Sequence, residues 1–329
     1  MQVIIPLAGK GTRLLPLTRR VPKPLIEIAG RPMMDYVMDL ITGAGLEVDE
    51  LLVITGHLKD EVERYISAAY SVPARFLEQR TLDGTAGAVN LARPYVHGPV
   101  LIVFVDTLFD ADLSLAGRLD ADGIIWAKEV EDYQRFGVVV HDADGFMTRI
   151  IEKPKTPVSK LANIGLYYIR DWRTLFDGIA HVLAGPPNGA EFYLTDAFQY
   201  MVDHGKKLFT APVAGWYDCG KVDTLLATNR HLLEQGRARR PAPRAGVTIH
   251  DPVFVADGVT LADCSIGPNV SIGTGSSIRG GAVRDSIVGH RARLDGATVE
   301  GSLIGDDQVI ERRVVRASVV DGGEEAPAR

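Results

Sequence analysis

The chain has 329 residues, of which 46% are hydrophobic and 24% charged, and its formal net charge is −6. This composition is typical of a globular protein, and it lacks the general basic surface that binds DNA or RNA, so we expect no nucleic-acid partner. No run approaches the roughly 18 apolar residues that span a bilayer, and the first residues lack the order of a signal peptide. The sequence therefore predicts a cytoplasmic protein without a membrane partner. Cys219 and Cys264 have no metal-ligand or disulfide spacing and are interpreted as core residues.

Strand and helix patterns alternate over the first part of the chain. Short runs rich in Val, Ile, Leu and Phe predict strands: VIIPLA, ELLVIT, ARFLEQ and VLIVFVD. Between them, RPMMDYVMDLITGAG and KDEVERYISAAYS repeat apolar residues at helical spacing. This order predicts a parallel sheet covered on both faces, with ligands at the carboxyl ends of its strands. Residues 7–13 and Asp106 then lie at that edge.

The pattern changes after Ala121. GIIWAKEV, FGVVVHDADGFMTRIIE and LANIGLYYI predict strands with few helices between them, and Asp144-Gly145 is a hairpin turn signal. We expect an antiparallel extension of the same domain. Helical patterns return at 171–184 and 195–205, followed by the strand-like KLFTAPVAGWYD and the helix-like KVDTLLATNRHLLEQ.

The C-terminal part has a period of six. Aliphatic residues recur at every sixth position in VTIHDP VFVADG VTLADC SIGPNV SIGTGS SIRGGA, which predicts a parallel β-helix of about four turns. The chain is therefore divided into an α/β domain (1–236), an Arg- and Pro-containing linker (237–246), a β-helix (247–320) and a disordered tail (321–329). A short exposed β-helix favours a homo-oligomer.

The loop after the first strand, LAGKGTR, has the composition of a phosphate site. It is not a Walker A loop, because Gly11 follows Lys10, and it is not a dinucleotide fingerprint, because Leu14 occupies the position of the third glycine. The remaining interpretation is a glycine turn whose backbone N–H groups approach phosphate, with Arg13 as a fork of donors. A lone loop cation is usually solvated, but Lys23 between two prolines supplies a second cation near the same turn.

Six ordered segments resemble the sugar-1-phosphate nucleotidylyltransferases, the family of glucose-1-phosphate thymidylyl- and uridylyltransferases. They are GKGTRLLPLTRRVPKPLIEIAGRPMMDYV, LEQRTLDGTAGAV, VFVDTLFDADL, FGVV, IIEKP and GWYDCGKVDTLLATNRHLL. The resemblance implies a Rossmann-like nucleotidyltransferase domain of the glycosyltransferase-A type with a mixed sheet, followed by a left-handed β-helix. It also implies transfer of a nucleotidyl group from a nucleoside triphosphate to a sugar 1-phosphate, with Mg²⁺ as cofactor and release of pyrophosphate.

The resemblance assigns a role to each matching residue. The catalytic cations are Arg13 and Lys23; the nucleotide-binding residues are Leu7, Ala8, Gly9, Gly11, Thr12, Gln79, Gly84 and Thr85; the sugar-phosphate residues are Gly137, Glu152, Lys153 and Asn163; the Mg²⁺ ligands are Asp106 and Asp218. Two carboxylates suit Mg²⁺, which prefers oxygen ligands. A purely structural role, such as a turn aspartate or a strand glycine, is the alternative for these residues. The six segments that match the family in the same order outweigh that alternative.

The base and the sugar stay open at this stage. The amide of Gln79 offers a donor and an acceptor that match the imide edge of uracil or thymine. The segment GTAGA is also similar to guanylyl- and adenylyltransferases, which keeps a purine nucleotide as an alternative. The first loop is one residue shorter than the usual thymidylyltransferase pattern, which favours UTP as the nucleotide. The β-helix and the CGK segment instead resemble the long thymidylyltransferase-like members, which favours dTTP. Glucose 1-phosphate is the expected sugar phosphate.

Two alternatives come from other functional classes. The β-helix raises an acyltransferase function with His290 as the candidate histidine, but that histidine stands alone in a short coil. A non-catalytic regulatory protein that binds sugar nucleotides is the second alternative. It is disfavoured because binding alone does not require both Asp106 and Asp218.

Overall fold

A computed structural model describes residues 1–189 and 191–328. The helices are α1 (Met33–Gly43), α2 (Lys59–Ala69), α3 (Thr85–Asn90), α4 (Leu115–Arg118), α5 (Trp172–Ala184), α6 (Leu194–Asp203) and α7 (Val222–Leu232). The strands before the coil are β1 (Gln2–Pro6), β2 (Glu27–Ile28), β3 (Arg31–Pro32), β4 (Glu50–Thr55), β5 (Ala74–Glu78), β6 (Val100–Val103), β7 (Thr107–Asp110), β8 (Gly123–Glu129), β9 (Gly137–His141), β10 (Met147–Glu152), β11 (Leu161–Ile169), β12 (Leu208–Pro212) and β13 (Gly215–Asp218).

The chain divides into two compact units that do not follow sequence order. The first unit contains residues 1–9 and 37–216, and the second contains residues 10–36 and the chain from Tyr217 onward. From the sequence, residues 1–236 were predicted to form one domain. The glycine loop therefore begins in the first unit and continues into the second.

The first unit is built on a mixed sheet. Its strand order is β10-β9-β11-β6-β1-β4-β5, and β8 pairs with both β11 and β12. The four strands β6, β1, β4 and β5 are parallel, and β11 runs antiparallel to β6. Strands β1, β4 and β6 are buried along almost their whole length, as expected for parallel strands covered on both faces. The predicted α/β class with a mixed sheet is confirmed.

This sheet places three loops at one edge. Leu7–Gly9 follows β1, Gln79 follows β5 and Asp106 follows β6. The carboxyl ends of parallel strands meet at the same edge, which is where open α/β sheets bind ligands. The predicted hairpin is also present: β9 pairs antiparallel with β10, and Asp142 Oδ1 accepts hydrogen bonds from the turn backbone.

The second unit contains a coil of short parallel strands. They are β14 (Val247–Ile249), β15 (Val253–Val255), β16 (Thr260–Ala262), β17 (Cys264–Ile266), β18 (Val270–Ile272), β19 (Ser277–Arg279), β20 (Ala282–Arg284), β21 (Ile287–Val288), β22 (Arg293–Asp295), β23 (Thr298–Glu300), β24 (Leu303–Ile304), β25 (Val309–Glu311), β26 (Val314–Arg316) and β27 (Ser318–Asp321). They stack in three sheets, β14-β17-β20-β23-β26, β15-β18-β21-β24-β27 and β16-β19-β22-β25. The interior is aliphatic, with Ile266, Val283 and Val299 fully buried. This arrangement is the predicted parallel β-helix.

One face of the coil is covered by residues 10–36. This segment has three short 3₁₀ turns, Thr12–Leu14, Leu17–Arg19 and Lys23–Leu25, followed by the β2–β3 hairpin. The outward side chains of the second stack include Ser271, Leu303 and Val319, and at most 4% of each is exposed. The coil and residues 10–36 therefore share a packed interface within one unit.

The C-terminal segment is ordered where the sequence predicted disorder. Strand β28 (Glu324–Pro327) pairs antiparallel with β27, and the two-residue turn is Gly322-Gly323 with φ values of 58° and 80°. Two positive φ values suit a tight hairpin turn, and glycine adopts them without strain. The prediction of disorder for 321–329 is thus corrected for residues 321–328, and residue 329 lies outside the described residues. Among the described residues, no helix has the length and apolar character needed to cross a membrane.

Candidate active site

The residues of the glycine loop make contacts within each unit separately. In the first unit, Leu7 N donates to Ile54 O at 2.7 Å and His57 N donates to Ala8 O at 3.3 Å. A Cβ on Gly56 would lie 2.8 Å from the Cβ of Ala8, so the two turns are in close contact. Leu7 and Ala8 are buried, whereas Gly9 is exposed.

In the second unit, Gly11 is in the left-handed region with φ of 59°. Its backbone oxygen accepts a hydrogen bond from Thr18 Oγ1 at 2.9 Å. A Cβ on Gly11 would lie 2.9 Å from Thr18 Cγ2 and 3.4 Å from Lys23 Cβ. The close approach places the stem of Lys23 against the turn, as the sequence predicted, while Thr12 and Arg13 are exposed.

Arg13 and Asp218 lie side by side in the second unit. A Cβ on Gly220 would lie 2.8 Å from Asp218 Oδ1 and 3.3 Å from an Nη of Arg13. The Asp218 carboxylate is fixed by Gly220 N, which donates to Oδ1 at 2.7 Å. Its backbone oxygen accepts from Thr228 Oγ1 at 3.2 Å, which ties it to α7.

Asp106 belongs to the first unit and is exposed just after β6. The chain around it is anchored, because Phe104 N donates to Gly165 O at 2.9 Å and Thr107 Oγ1 donates to Ile164 O at 3.3 Å. The carboxylate therefore stands on a fixed strand end at the ligand-binding edge of the sheet.

The predicted base segment forms a tight turn. Gln79 is buried, and its Nε2 donates to Asp83 Oδ1 at 2.9 Å and to Gly84 O at 3.2 Å. Gly84 has φ of 117°, and a Cβ there would lie 2.4 Å from Phe192 O, so glycine is required. Thr85 Oγ1 accepts from Leu194 N at 2.9 Å. Nε2, the donor of the Gln79 amide, thus makes hydrogen bonds within the protein. Of the two amide atoms predicted to match the base, Oε1 is the one that does not take part in these two bonds.

The predicted sugar residues converge on a glycine in the first unit. A Cβ on Gly137 would lie 2.4 Å from Asn163 Nδ2, 2.7 Å from Glu152 Oε2 and 2.9 Å from Thr195 Cγ2. Asn163 Nδ2 donates to Gly137 O at 2.8 Å, and Thr195 Oγ1 donates to Glu152 Oε2 at 3.1 Å. Burial raises the pKa of the Glu152 carboxyl, against the opposing effects of Thr195 and Lys153. Burial also raises the pKa of Tyr167, whose protonated hydroxyl donates to Asn163 Oδ1.

Lys153 is next to this group and is held by an aromatic ring. Its Nζ donates to Tyr193 Oη at 3.1 Å and lies 4.6 Å from the centre of the Tyr193 ring. Burial lowers the pKa of Lys153, but the hydrogen bond to Tyr193 and the attraction of Tyr193, Glu152 and Glu191 together outweigh burial, so the net pKa is raised. The ammonium is therefore charged and fixed in direction.

Sequence reasoning missed Tyr193 and Thr195. Both lie in EFYLTDAF; Thr195 was predicted only as the first residue of a helical pattern at 195–205, and Tyr193 was given no role. The signal that could have found them is a run of hydroxyl side chains at a helix start. Their partners, Lys153 and Glu152, are about forty residues away along the chain.

His290, the candidate for an acyltransferase, has a structural partner. Its Nε2 lies 3.2 Å from Glu27 Oε1, and both line a cavity of about 150 Å³ between residues 17–30 and the coil of the second unit. The imidazole is thus engaged in holding residues 10–36 to the coil.

The two predicted magnesium ligands, Asp106 and Asp218, are both carboxylates. No group of three or more His, Cys, Asp or Glu side chains with metal-site geometry occurs in the described part of the chain. Mg²⁺ is commonly held by one or two carboxylates together with substrate phosphates and water rather than by an all-protein cage. Each of the two carboxylates, taken by itself, therefore offers the oxygen ligands that Mg²⁺ prefers.

A mixed α/β sheet with a glycine loop and Asp106 after its parallel strands is the arrangement in which open α/β folds bind nucleotides and related ligands. Residues 2–235 match the family described as Nucleotidyl transferase, and the chain belongs to this family. The resemblance inferred from the sequence is confirmed.

Individual relatives differ in how much they share with this chain. Glucose-1-phosphate thymidylyltransferase of Streptomyces antibioticus is 27% identical over 333 residues, which cover 93% of this chain and 92% of the relative. Bifunctional protein GlmU of Methanococcus aeolicus is 32% identical over 234 residues, which cover 71% of this chain and 55% of the relative. The chain thus spans about half the length of that relative.

One solved structure has the same fold over most of its length. It is UDP-glucose pyrophosphorylase complexed with UDP-glucose, with a TM-score of 0.63 and 22% sequence identity, covering 71% of this chain and 98% of that chain. At this identity the likeness concerns the fold alone.

Proposed function

We propose that this protein transfers a nucleotidyl group from dTTP or UTP to a hexose 1-phosphate, glucose 1-phosphate being the first to test, and releases pyrophosphate. The observation that carries the proposal is the close packing at Gly137, where the Glu152 carboxylate and the Asn163 amide both lie within 2.7 Å of the position of a Cβ. Charged acceptors of this kind discriminate sugar hydroxyls by strong hydrogen bonds. Family membership and the thymidylyltransferase that aligns along 93% of the chain support the same reaction.

The reaction needs positioning and positive charge rather than a base. The second pKa of a phosphate monoester is about 6, so the sugar phosphate is largely ionised at neutral pH and is itself the nucleophile. One of its oxygens forms a bond to the α-phosphorus in line. The bond from that phosphorus to the bridging oxygen breaks, and pyrophosphate leaves with the electron pair.

The cations of this chain would neutralise the charge that develops. Arg13 and Lys23 hold the triphosphate, and backbone N–H groups of the Gly9–Gly11 turn add hydrogen bonds to it. Lys153, fixed by Tyr193, holds the phosphate of the sugar. By analogy with other preorganised electrostatic groups, loss of Arg13 or Lys23 should slow the reaction about 100-fold or more.

Asp106 and Asp218 would hold Mg²⁺. When bound, the ion supplies neutralisation of the phosphate charge. Gly220 N orients the Asp218 carboxylate through its 2.7 Å hydrogen bond, so the ligand atom has a defined direction.

The preference for a pyrimidine rests on Gln79. Its Nε2 is used by Asp83 and Gly84, so Oε1 is the atom directed to accept the imide N–H of uracil or thymine. Removal of the amide in Gln79→Ala should relax the choice of base.

The experiment is a pyrophosphate-release assay that crosses UTP, dTTP, GTP, ATP and CTP with glucose-, mannose-, galactose- and N-acetylglucosamine 1-phosphate. We expect Mg²⁺-dependent turnover with a pyrimidine nucleotide and glucose 1-phosphate. Asp106→Asn and Asp218→Asn should each remove it, with Asp120→Asn, a highly exposed aspartate of the first unit, as the matched control.

Other outcomes would redirect the proposal. Turnover only with GTP or ATP would assign a guanylyl- or adenylyltransferase, and no turnover with any pair would favour a non-catalytic sugar-nucleotide-binding protein. Full activity in either Asp variant would remove that residue from the metal site. A homo-oligomer in the cytoplasm belongs to the same proposal, and light scattering would test the assembly.

A further inference from the structure

A buried asparagine of α7 joins three elements of the second unit. Asn229 is 0% exposed. Its Oδ1 accepts from Ala29 N at 2.8 Å and from Ser271 Oγ at 2.6 Å, and its Nδ2 donates to Asn269 O at 3.4 Å. One amide therefore links the β2–β3 hairpin of residues 10–36 to the coil.

The hairpin turn is held in a conformation that needs this support. Ala29 and Gly30 both have positive φ, 46° and 79°, and alanine rarely adopts such a value. A Cβ on Gly30 would lie 2.0 Å from the ring of Phe254, so the turn lies flat on the coil. Backbone strain of this kind persists where the surrounding contacts fix it.

The same helix leads back to the candidate metal ligand. Helix α7 begins four residues after Asp218, and Thr228, the residue before Asn229, donates its Oγ1 to the backbone oxygen of Asp218. Arg13 lies beside Asp218 at Gly220. The contacts thus run from the coil through Asn229 and α7 to the place where Arg13 meets Asp218.

We propose that Asn229 is a positioning residue. By binding both the β-helix and residues 10–36, it fixes the position of that segment, which carries Arg13 and Lys23, relative to Asp218. The inference rests on the proposed nucleotidyl transfer. It gives the coil a part in nucleotide binding in addition to any part in assembly. Because the cations in question bind the triphosphate, the effect falls on the nucleotide and not on the sugar phosphate, whose residues belong to the first unit.

The test compares Asn229→Ala with Asn229→Asp. The alanine variant removes the acceptor of both Ala29 N and Ser271 Oγ, whereas the aspartate keeps it. We expect Asn229→Ala to lower kcat/KM for dTTP or UTP about 10-fold or more, since small misplacements of binding groups are costly, with the KM for glucose 1-phosphate unchanged. Asn229→Asp should recover only part of the loss, because it keeps the acceptor for Ala29 N and Ser271 Oγ but loses the donor to Asn269 O. Calorimetric titration with dTTP and UTP should rank the nucleotide affinities of wild type, Asn229→Asp and Asn229→Ala in the same order as kcat/KM.

Ser302→Ala is the structural control. Ser302 is a fully buried coil serine that donates to Glu300 O and accepts from Ser318 N, away from the asparagine. It should lower thermal stability and leave nucleotide kcat/KM unchanged. Equal effects of Asn229→Ala and Ser302→Ala on kcat/KM, at matched melting temperatures, would overturn the inference.

Ser271→Ala decides the matter if Asn229→Ala does not fold. It removes one hydrogen bond to Asn229 and should lower nucleotide kcat/KM about 5-fold. No change in Ser271→Ala would then reject the inference. An inactive wild-type chain would instead reject the proposed function, so the two failures are distinguishable.

Discussion

Glu27 and His290 form an ion pair inside the second unit, with 3.2 Å between Oε1 and Nε2. The pair joins the strand before the Ala29-Gly30 turn to the coil. The hydrogen bond to Glu27 raises the pKa of His290, with further help from Asp306 and opposition from burial and Arg291. The contact is therefore strongest when the imidazole is protonated.

This relationship predicts how stability depends on pH. The folded pKa of His290 lies above its ordinary value of 6.5, so the folded chain holds the proton to higher pH. The stabilisation is complete below pH 6.5 and disappears as the pH rises through the raised pKa. The difference in melting temperature between wild type and His290→Gln should therefore shrink from pH 6 to pH 9.

Two variants check that prediction. Glu27→Gln should flatten the same part of the profile, and His250→Gln, at an exposed histidine of the coil region, should leave it unchanged. A wild-type advantage over His290→Gln that is constant across this range would show that the ion pair contributes nothing.

Glu152 predicts an acid limit for sugar binding. Burial raises the pKa of its carboxyl above the ordinary 4.5, so the ionised acceptor is lost at a higher pH than in an exposed glutamate. In Glu152→Gln we expect kcat/KM for glucose 1-phosphate to fall about 10- to 100-fold at pH 7.5, the range for a hydrogen bond to a charged group. The ratio of wild type to variant should decrease as the pH is lowered toward 5.

The ratio is the informative quantity. The substrate phosphate also titrates, near pH 6, but it does so equally for both proteins. A ratio that stays constant from pH 7.5 to pH 5 would mean that Glu152 ionisation does not govern sugar binding.

The close packing around Gly137 predicts that a larger residue there would displace its neighbours. A methyl group there would lie under 3 Å from Asn163, Glu152 and Thr195. Gly137→Ala should reduce kcat/KM for the sugar phosphate about 10-fold or more, because displaced contacts cannot keep their geometry, and leave the KM for the nucleotide near the wild-type value. Gly98→Ala is the matched control, since no atom of residues 1–189 or 191–328 lies within 4 Å of the new Cβ. Equal kcat/KM values for the sugar phosphate in the two variants would show that the sugar does not bind beside Gly137.

Much of the fold follows from local patterns. Strands β1, β4 and β6 were predictable because continuous aliphatic runs suit strands buried on both faces, and this placed Asp106 at the correct edge. The coil was predictable from its period, but the number of residues in one turn of the coil was not. Paired strands are 17 residues apart at Val247 and Cys264 and 16 residues apart at Thr298 and Val314. Each turn is therefore shorter than three hexapeptides, and in the later turns the strands of the second stack, such as Ile287–Val288, have only two residues.

Long-range pairing was beyond the sequence. The contact of Ala29 with Asn229 joins residues 200 positions apart, and no spacing rule connects them. Thr195 and Tyr193 were missed for the same reason, since their partners Glu152 and Lys153 lie at and just after the end of β10. The Gly322-Gly323 turn, in contrast, was a local signal that a low hydrophobic content of the tail concealed.

Two glycines of the same loop predict opposite outcomes. Gly9 is exposed, and in the described part of the chain no atom lies within 4 Å of a Cβ built on it. Gly11 has φ of 59°, and its Cβ would lie 2.9 Å from Thr18 Cγ2. Gly9→Ala should therefore keep the melting temperature of wild type but raise the KM for the nucleotide, because a methyl group would occupy the side from which phosphate approaches the backbone. Gly11→Ala should lower the melting temperature, since alanine is strained at positive φ and its Cβ would clash with Thr18.

Differential scanning calorimetry together with nucleotide kinetics separates the effect on stability from the effect on nucleotide binding. If Gly9→Ala left nucleotide kinetics unchanged, the loop would not be the triphosphate site, whatever the behaviour of Gly11→Ala.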